Sequence, residues 1–373
     1  EELSEEFETG SGVKQGCVLS PTLFSVYLND LHDYIEGGVA VGTENIRLLL
    51  YADDIVILAD NITIMQSMID KLEKYCEIWN LELNLNKSEM MVLRNGGRLS
   101  AREQWLFKGE PIRVTNEYTY LGVTISPKLS FRTHIEKRNK SAKNNINATW
   151  KEFLSKKEIG LKAKWNLFQS VCRAIQSYGA QVWGYSLFEE VDKLQRFFLK
   201  KILKLPSFTP TYALMLETGI ENNYIYTLDL HLRYIIKTLF DYNDNRLPSK
   251  LTKLTIEKKS YWYKHIEKLA NDVSTIHISE CFSRENWERL RIDILTGLKR
   301  KERENNIQQA TRSNRFYSKL NYKEPQTYFE HFRHRDPVYA LYVIEMKQKI
   351  FCTFLPAVQF YVKFATNILK EPQ

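Results

Sequence analysis

Apolar positions recur along this chain with two different periods, and the change between them divides it. Ser20-Pro21 offers an N-cap followed by proline at the first helical position. Leu23, Phe24, Tyr27, Leu28 and Leu31 then follow at helical spacing, and Gly37-Gly38 ends the pattern. IRLLLYADDIVILAD is two short apolar runs around two acids. Each run is too short for a buried helix and rich in Leu, Ile and Val, so it predicts two strands joined by a tight turn. Asp60, Asn61 and Thr63 offer caps for the next helix, whose apolar stripe is Met65, Met68, Ile69, Leu72, Cys76 and Trp79, with Asn80 closing it. LELNLNKSEMMVLRNGG reads as a loop entering a strand at Met90 to Leu93. Gly109-Glu110-Pro111 marks a turn, EYTYLGVTIS reads as a further strand with Gly122 inside it, and Pro127 closes the β-containing part.

From Phe131 the period is helical. One helix carries Phe131, Ile135, Ile146, Trp150 and Phe153. A second, after Gly160, carries Leu161, Trp165, Phe168, Cys172 and Ile175. A third carries Phe188, Val191, Leu194, Phe198 and Ile202 and stops before Pro206. Three amphipathic helices joined by short loops predict a small bundle. The remainder is helical, with polar breaks near Asn243-Asp244-Asn245 and at Pro325. The pattern predicts an α+β fold. A small antiparallel sheet with packed helices occupies residues 1–127, a helical segment 128–205 and a helical C-terminal region 206–373.

Composition adds limits. The 373 residues suggest two to three domains, and 26% charged with 43% hydrophobic residues is ordinary for a globular protein. No apolar run approaches the ~18 residues of a membrane span. Cys17, Cys76, Cys172, Cys281 and Cys352 are scattered, without CxxC or Cys-His ligand spacing. That supports neither a disulfide framework nor a zinc ribbon and predicts a reduced, intracellular setting. His331 and His334 stand three apart with no third ligand near, and read as exposed polar residues rather than a metal site. The chain opens EELSEEFETG, without initiator Met or signal region, which suggests a start inside a longer reading frame.

The net charge of +8 is localised. Between Phe131 and Lys204 sixteen Lys/Arg face six acids, a local +10 that leaves −2 for the rest. Such a segment fits either a polyanion partner such as nucleic acid or a solvated helical face.

Asp53 and Asp54 are the most unusual pair, because large apolar runs flank them and an unpaired buried carboxylate is costly. A surface hairpin tip explains them, since Asp suits turns. A strand end that reaches a site explains them too. Two adjacent carboxylates can hold hard divalent cations, which can clamp the attacking and leaving oxygens of phosphoryl transfer.

GVKQGCVLSPTLFSVYLNDL, LLLYADDIVILA, LNLNKSEMMVL and YTYLGVTIS occur in this order between Gly12 and Ile125. This combination resembles the palm of reverse transcriptases, in particular those of non-LTR retrotransposons. The resemblance implies an RNA-directed DNA polymerase, a nucleotidyltransferase that adds dNTPs to a primer with Mg2+. Its partners would be an RNA template, a DNA primer and the RNA–DNA duplex, with the nucleus as the place of action. Gly12, Gln15 and Gly16 match the motif under the template and incoming nucleotide. Asp53 matches the direct metal ligand, with Asp54 shaping the site and Tyr51 near the primer end. Lys87 matches a lysine that protonates or neutralises the leaving pyrophosphate. Tyr120, Leu121 and Gly122 match the hairpin that grips the primer, although an ordinary strand with a bulge at Gly122 fits the same residues.

The basic segment stands where this family places its thumb. That implies duplex contact by Lys137, Arg138, Lys140, Lys143, Lys151, Lys156 and Lys157, through phosphates and without sequence preference. Lys299-Arg300-Lys301 with Arg303 reads as a charged helix surface rather than an import signal.

The family's third catalytic carboxylate and its fingers precede the Gln-Gly motif, and EELSEEFETGS offers no Asp in an apolar strand. The chain is therefore expected to be an N-terminally truncated copy that does not polymerise alone. The alternative is a host-retained, non-catalytic nucleic-acid-binding protein derived from such an element.

Overall fold

The computed structural model of the chain describes residues 12–13, 16–101, 103–274 and 276–313. Gln15, Pro325, His331, His334 and Cys352 lie outside them. The described residues fall into two compact units divided between Thr133 and His134. Helices and short strands occur together, so the fold is α+β, as the pattern predicts.

In the first unit, α1 (Ser20–Tyr27) and α2 (Leu31–Tyr34) replace the single helix expected there. The buried Tyr75 hydroxyl donates to Asp30 at 2.6 Å and ties the break between them to the core. Ser20 is not the cap: it is the first helical residue, with Pro21 in the first turn. Two hairpins follow, β1 (Val39–Val41) with β2 (Glu44–Ile46), and β3 (Leu48–Tyr51) with β4 (Asp54–Ile57). Next comes α3 (Ile62–Ile78), capped by Asn61, whose Oδ1 accepts from the Ile64 amide at 2.9 Å. Its buried stripe is Met68, Ile69, Leu72, Tyr75 and Cys76, close to the predicted one.

The remaining strands are β5 (Glu89–Met90), β6 (Leu106–Phe107), β7 (Glu110–Pro111), β8 (Arg113–Val114), β9 (Tyr118–Tyr120) and β10 (Val123–Ile125). The expectation of one small antiparallel sheet is corrected. The described strands form five separate two-stranded ladders, and β5 pairs with β8 in parallel. Strands of two to four residues expose too little edge to build a wide sheet, and a lone ribbon is marginal in water. The support comes instead from α3, around which Leu28, Leu31, Ile35, Leu48, Trp105 and Phe107 are buried. EYTYLGVTIS is also corrected from one strand to a hairpin. β9 and β10 pair across Leu121 and Gly122, at φ +45° and +78°, the pair of positive φ values of a type I′ hairpin turn.

The second unit, with the entry to its first helix, is helical. α4 (Arg132–Ala148) runs into a π-helical turn at Trp150–Leu154. α5 (Leu161–Leu167) continues through a second π turn, Phe168–Cys172, into α6 (Arg173–Gln176). A short α7 (Ala180–Trp183), absent from the sequence reading, precedes α8 (Glu189–Ile202). Then come α9 (Thr211–Thr218), α10 (Asn223–Phe240), α11 (Leu247–Glu257), α12 (Tyr261–Val273) and α13 (Arg284–Ser313).

Ile146, Leu154, Phe168, Cys172, Phe198 and Leu199 form one core that also takes Leu214 and Met215 from α9. Phe168 and Phe198 stack at 4.6 Å. A second core joins α10, α12 and α13 through Leu228, Leu232, Ile266, Leu290 and Ile294. Among the described residues no helix is long and apolar enough to cross a membrane.

Candidate functional site

The LLLY and DIVI runs become β3 and β4 because each apolar residue finds a partner across the ribbon. Leu48 faces Ile57, Leu50 faces Ile55, and Tyr51 faces Asp54. Side chains alternate between faces. Leu48, Ile55 and Ile57 join the core around α3. Tyr51 and Asp54 therefore share the opposite face with Leu49 and Val56. Ala52 and Asp53 are the whole turn. Ala52 stands at φ +51°, a left-handed conformation disfavoured for a residue with a Cβ. Tyr51 is 61% exposed, and Ala52, Asp53 and Asp54 are exposed as well. The two acids thus avoid the desolvation cost that made them conspicuous in sequence.

Tyr120 ends β9, within electrostatic reach of Asp54. Burial raises the pKa of its phenol, with further contributions from the nearby Asp54 carboxylate and from Tyr118. Leu121 and Gly122 form the turn beside it. Gly12 and Gly16 stand at φ +92° and +79°, and a Cβ on either would meet nothing within 4 Å. Glycine is required there by backbone conformation, not by close packing. Lys87 is exposed in a turn where its amide and that of Ser88 donate to Asn84 O. Among the described residues no ion pair or hydrogen bond joins Lys87 to Asp53 or Asp54.

Carboxylate oxygens are the donors that Mg2+ prefers, so Asp53 and Asp54 suit part of its ligand set. Among the described residues no group of three or more His, Cys, Asp and Glu converges for a metal ion. Cys17 is exposed and free, while Cys76, Cys172 and Cys281 are buried and free.

The basic helices resolve into residues with different surroundings. Lys137, Lys140, Lys143, Lys151, Lys156 and Lys157 are exposed, and Arg138 packs 4.5 Å over the Tyr178 ring. Lys164, part of the same charge excess, is buried, with its Nζ donating to Lys156 O at 2.7 Å. Burial lowers its pKa, and Lys204 adds to the effect. Arg173 lies over the Tyr226 ring at 4.0 Å. Sequence reasoning missed Lys201 and Asn147, which meet across α4 and α8. The available signal was the four-residue spacing of Lys143 from Asn147 and of Phe197 from Lys201, which puts each pair on one helix face.

Residues 1–125 match the family described as Reverse transcriptase (RNA-dependent DNA polymerase). Over 208 residues the chain is 28% identical to the RNA-directed DNA polymerase from mobile element jockey of Drosophila melanogaster, covering 54% of this chain and 22% of the relative. It is 23% identical over 202 residues to the probable RNA-directed DNA polymerase from transposon X-element of the same fly, covering 52% and 21%. It is 30% identical over 132 residues to the retrovirus-related Pol polyprotein from type-2 retrotransposable element R2DM, also of that fly, covering 33% and 12%. The chain thus spans about a fifth of the length of the first of these curated relatives. Residues 1–125 thus match the reverse transcriptase family, and the relatives are named as RNA-directed DNA polymerases of mobile elements.

Proposed function

We propose that the chain is part of an RNA-directed DNA polymerase of a non-LTR retrotransposon. Residues 1–127 serve as a palm segment, 128–205 as a thumb and 206–373 as a helical C-terminal region. The observation that carries this reading is the tight β3–β4 hairpin, which exposes the adjacent carboxylates of Asp53 and Asp54 at its end.

Asp53 and Asp54 would hold Mg2+, which when bound supplies positive charge for phosphoryl transfer. The chain's own residues position the reactants. Gly12, Gln15 and Gly16 lie under the template and incoming dNTP. Tyr51, paired with Asp54, stands at the primer end. Tyr120, Leu121 and Gly122 hold the primer. Lys87 supplies a proton or charge to the departing pyrophosphate, and the exposed lysines of α4 and the turn after it contact duplex phosphates.

By itself the 373-residue chain does not polymerise. Two carboxylates on one turn do not fix the spacing of two metal ions, and the described residues bring no further His, Cys, Asp or Glu to them. Primer extension with the purified chain, Mg2+ and oligo(dT) on poly(rA) is expected to give no template-dependent product. Incorporation that Asp53→Ala abolishes would show this part of the proposal to be wrong.

The exposed lysines of the second unit favour a second reading, a non-catalytic nucleic-acid-binding protein derived from such an element. It predicts salt-sensitive binding to an RNA–DNA duplex. Unchanged binding after joint neutralisation of Lys137, Arg138, Lys140 and Lys143 counts against it.

A further inference from the structure

Two lysines from different helices converge on one aromatic ring in the second unit. Lys143 Nζ, from α4, lies 5.1 Å from the Phe197 ring centroid, and Lys201 Nζ, from α8, lies 5.6 Å from the same centroid. Lys201 also sits 4.2 Å over the Trp150 ring and donates to Asn147 Oδ1 at 3.1 Å. The other cations of α8 are differently placed. Lys193 and Arg196 approach Glu189 at 3.1 and 3.6 Å, and Lys200 donates to Ser207 O at 2.6 Å. Among the described residues no carboxylate forms an ion pair with Lys143 or Lys201.

Two ammonium groups gathered this way repel each other. Lys201 shows the result: burial lowers its pKa first, and the charge of Lys143 lowers it further. The faces of Phe197 and Trp150 attract each cation but leave its charge in place. Asn147 uses its oxygen on Lys201, so its Nδ2 remains a donor for another acceptor. A compact anion with several acceptor oxygens would satisfy both ammonium groups and the amide, and would turn the repulsion into charge-assisted hydrogen bonding. Phosphate has that form.

We propose that Lys143, Asn147 and Lys201 make a discrete phosphate subsite that takes one backbone phosphodiester of a bound polynucleotide. The subsite rests on the reading of these helices as a nucleic-acid face and adds Lys201 and Asn147 to it. The aromatic rings fix where the cations stand, so the subsite selects a position along the backbone and no base. The exposed Lys140 lies one turn before Lys143 on α4 and extends the same face to a neighbouring phosphate.

The test uses the full chain and an RNA–DNA hybrid duplex, with affinity followed by fluorescence anisotropy across a salt series. Each phosphate neutralised on a duplex contributes about 0.9 to the slope of log affinity against log salt. The combined Lys143→Gln and Lys201→Gln variant is expected to lose about one unit of slope and to bind roughly five- to tenfold more weakly near 0.1 M salt. Lys201→Arg keeps the charge and should keep the slope. Matching circular dichroism melts establish that the variants fold.

A lysine side-chain NMR titration supplies a second readout. The depressed pKa of Lys201 should rise when the duplex binds and stay in place with inorganic pyrophosphate at equal phosphate concentration. An equal rise with pyrophosphate would replace the polynucleotide by a free phosphate compound and overturn the assignment. Duplex binding by the wild type with unchanged affinity and slope in the double variant overturns the subsite alone. Absence of duplex binding by the wild type overturns the subsite and the nucleic-acid reading together.

Discussion

In the first unit the residues of the candidate chemistry lie at the surface, and the core gathers around the single helix α3. Asp53 and Asp54 are exposed, and the strands that carry them form a ribbon supported from one side by α3. In the second unit the packing is dense and several ionisable groups are drawn into it. Asp192 and His231 are 4% and 3% exposed, and Lys164 is 6% exposed. Burial raises the pKa of Asp192 to about 6 and that of Glu302 to about 7, and lowers that of His231 to about 4. The contrast teaches that charge has two uses here. A charge at an exposed turn is free to meet a metal or substrate. A charge inside a helical core must be satisfied by the protein, as Asp192 is by the Tyr224 amide and Glu302 by the Asn222 amide.

The largest expected effect is in the second unit's core. Phe168 is fully buried and stacked on Phe198. Phe168→Ala should cost about 3–5 kcal/mol in urea unfolding of the helical unit, because the cavity adds to the lost transfer energy. A loss below about 1 kcal/mol would mean that the core is no better packed than the first unit, and the contrast would fail.

A smaller effect concerns pH. Between the unfolded value of a Glu, about 4.3, and its folded value of about 7, Glu302 holds in the folded state a proton that the unfolded chain has released. Its contribution is therefore complete below about pH 4 and is lost as pH rises through about 7. Asp192 behaves alike up to about pH 6. Arg196 moderates both shifts, Glu189 strengthens that of Asp192, and Asp192 and Glu221 strengthen that of Glu302. His231 has the opposite sign. It is held neutral, so it opposes stability as pH falls from about 6.5 towards about 4. Glu302→Gln should flatten the stability loss between about pH 5 and 8 and raise stability at pH 8 by about 1 kcal/mol. An unchanged profile would show that Glu302 is solvated and that the second unit handles charge as the first does.

The smallest effect sharpens the comparison from the other side. Ala52 is held at φ +51° in the turn that carries Asp53. Ala52→Gly should relieve about 0.5–1 kcal/mol, slowing amide exchange across β3 and β4 roughly three- to fivefold. Faster exchange would mean that the turn stores no strain.

These differences track what could be read in the sequence. The β3–β4 hairpin was legible because two runs of Leu, Ile and Val flank a pair of acids, although the turn itself falls one residue earlier, on Ala52 and Asp53. α3 was legible because its stripe and its Asn61 cap are local signals. The family was legible from four ordered motifs, whose residues are close in sequence. The β9–β10 hairpin was hidden because Leu121 is a poor turn residue, yet stands at φ +45° before Gly122. The break between α1 and α2 was hidden because Asp30 is fixed by Tyr75, forty-five positions away. The π turns, which keep Phe168 and Cys172 on one face, leave an apolar spacing indistinguishable from that of an α-helix. Lys164 was counted with the surface charge because its acceptor, Lys156 O, is set by how the chain folds back. The convergence of Lys143 and Lys201 joins α4 to α8; the four-residue spacings put each pair on one helix face, but nothing local says that the two faces meet.

The central claim is that Asp53 and Asp54 form a metal-holding turn and not merely a solvated hairpin tip. The most direct measurement is NMR of the alanine-labelled chain titrated with Mn2+, following the Ala52 amide. The account predicts selective broadening of Ala52 that Mg2+ competes away and that Asp53→Asn removes. An Ala52 signal that stays sharp, or broadening that survives Asp53→Asn, would contradict it.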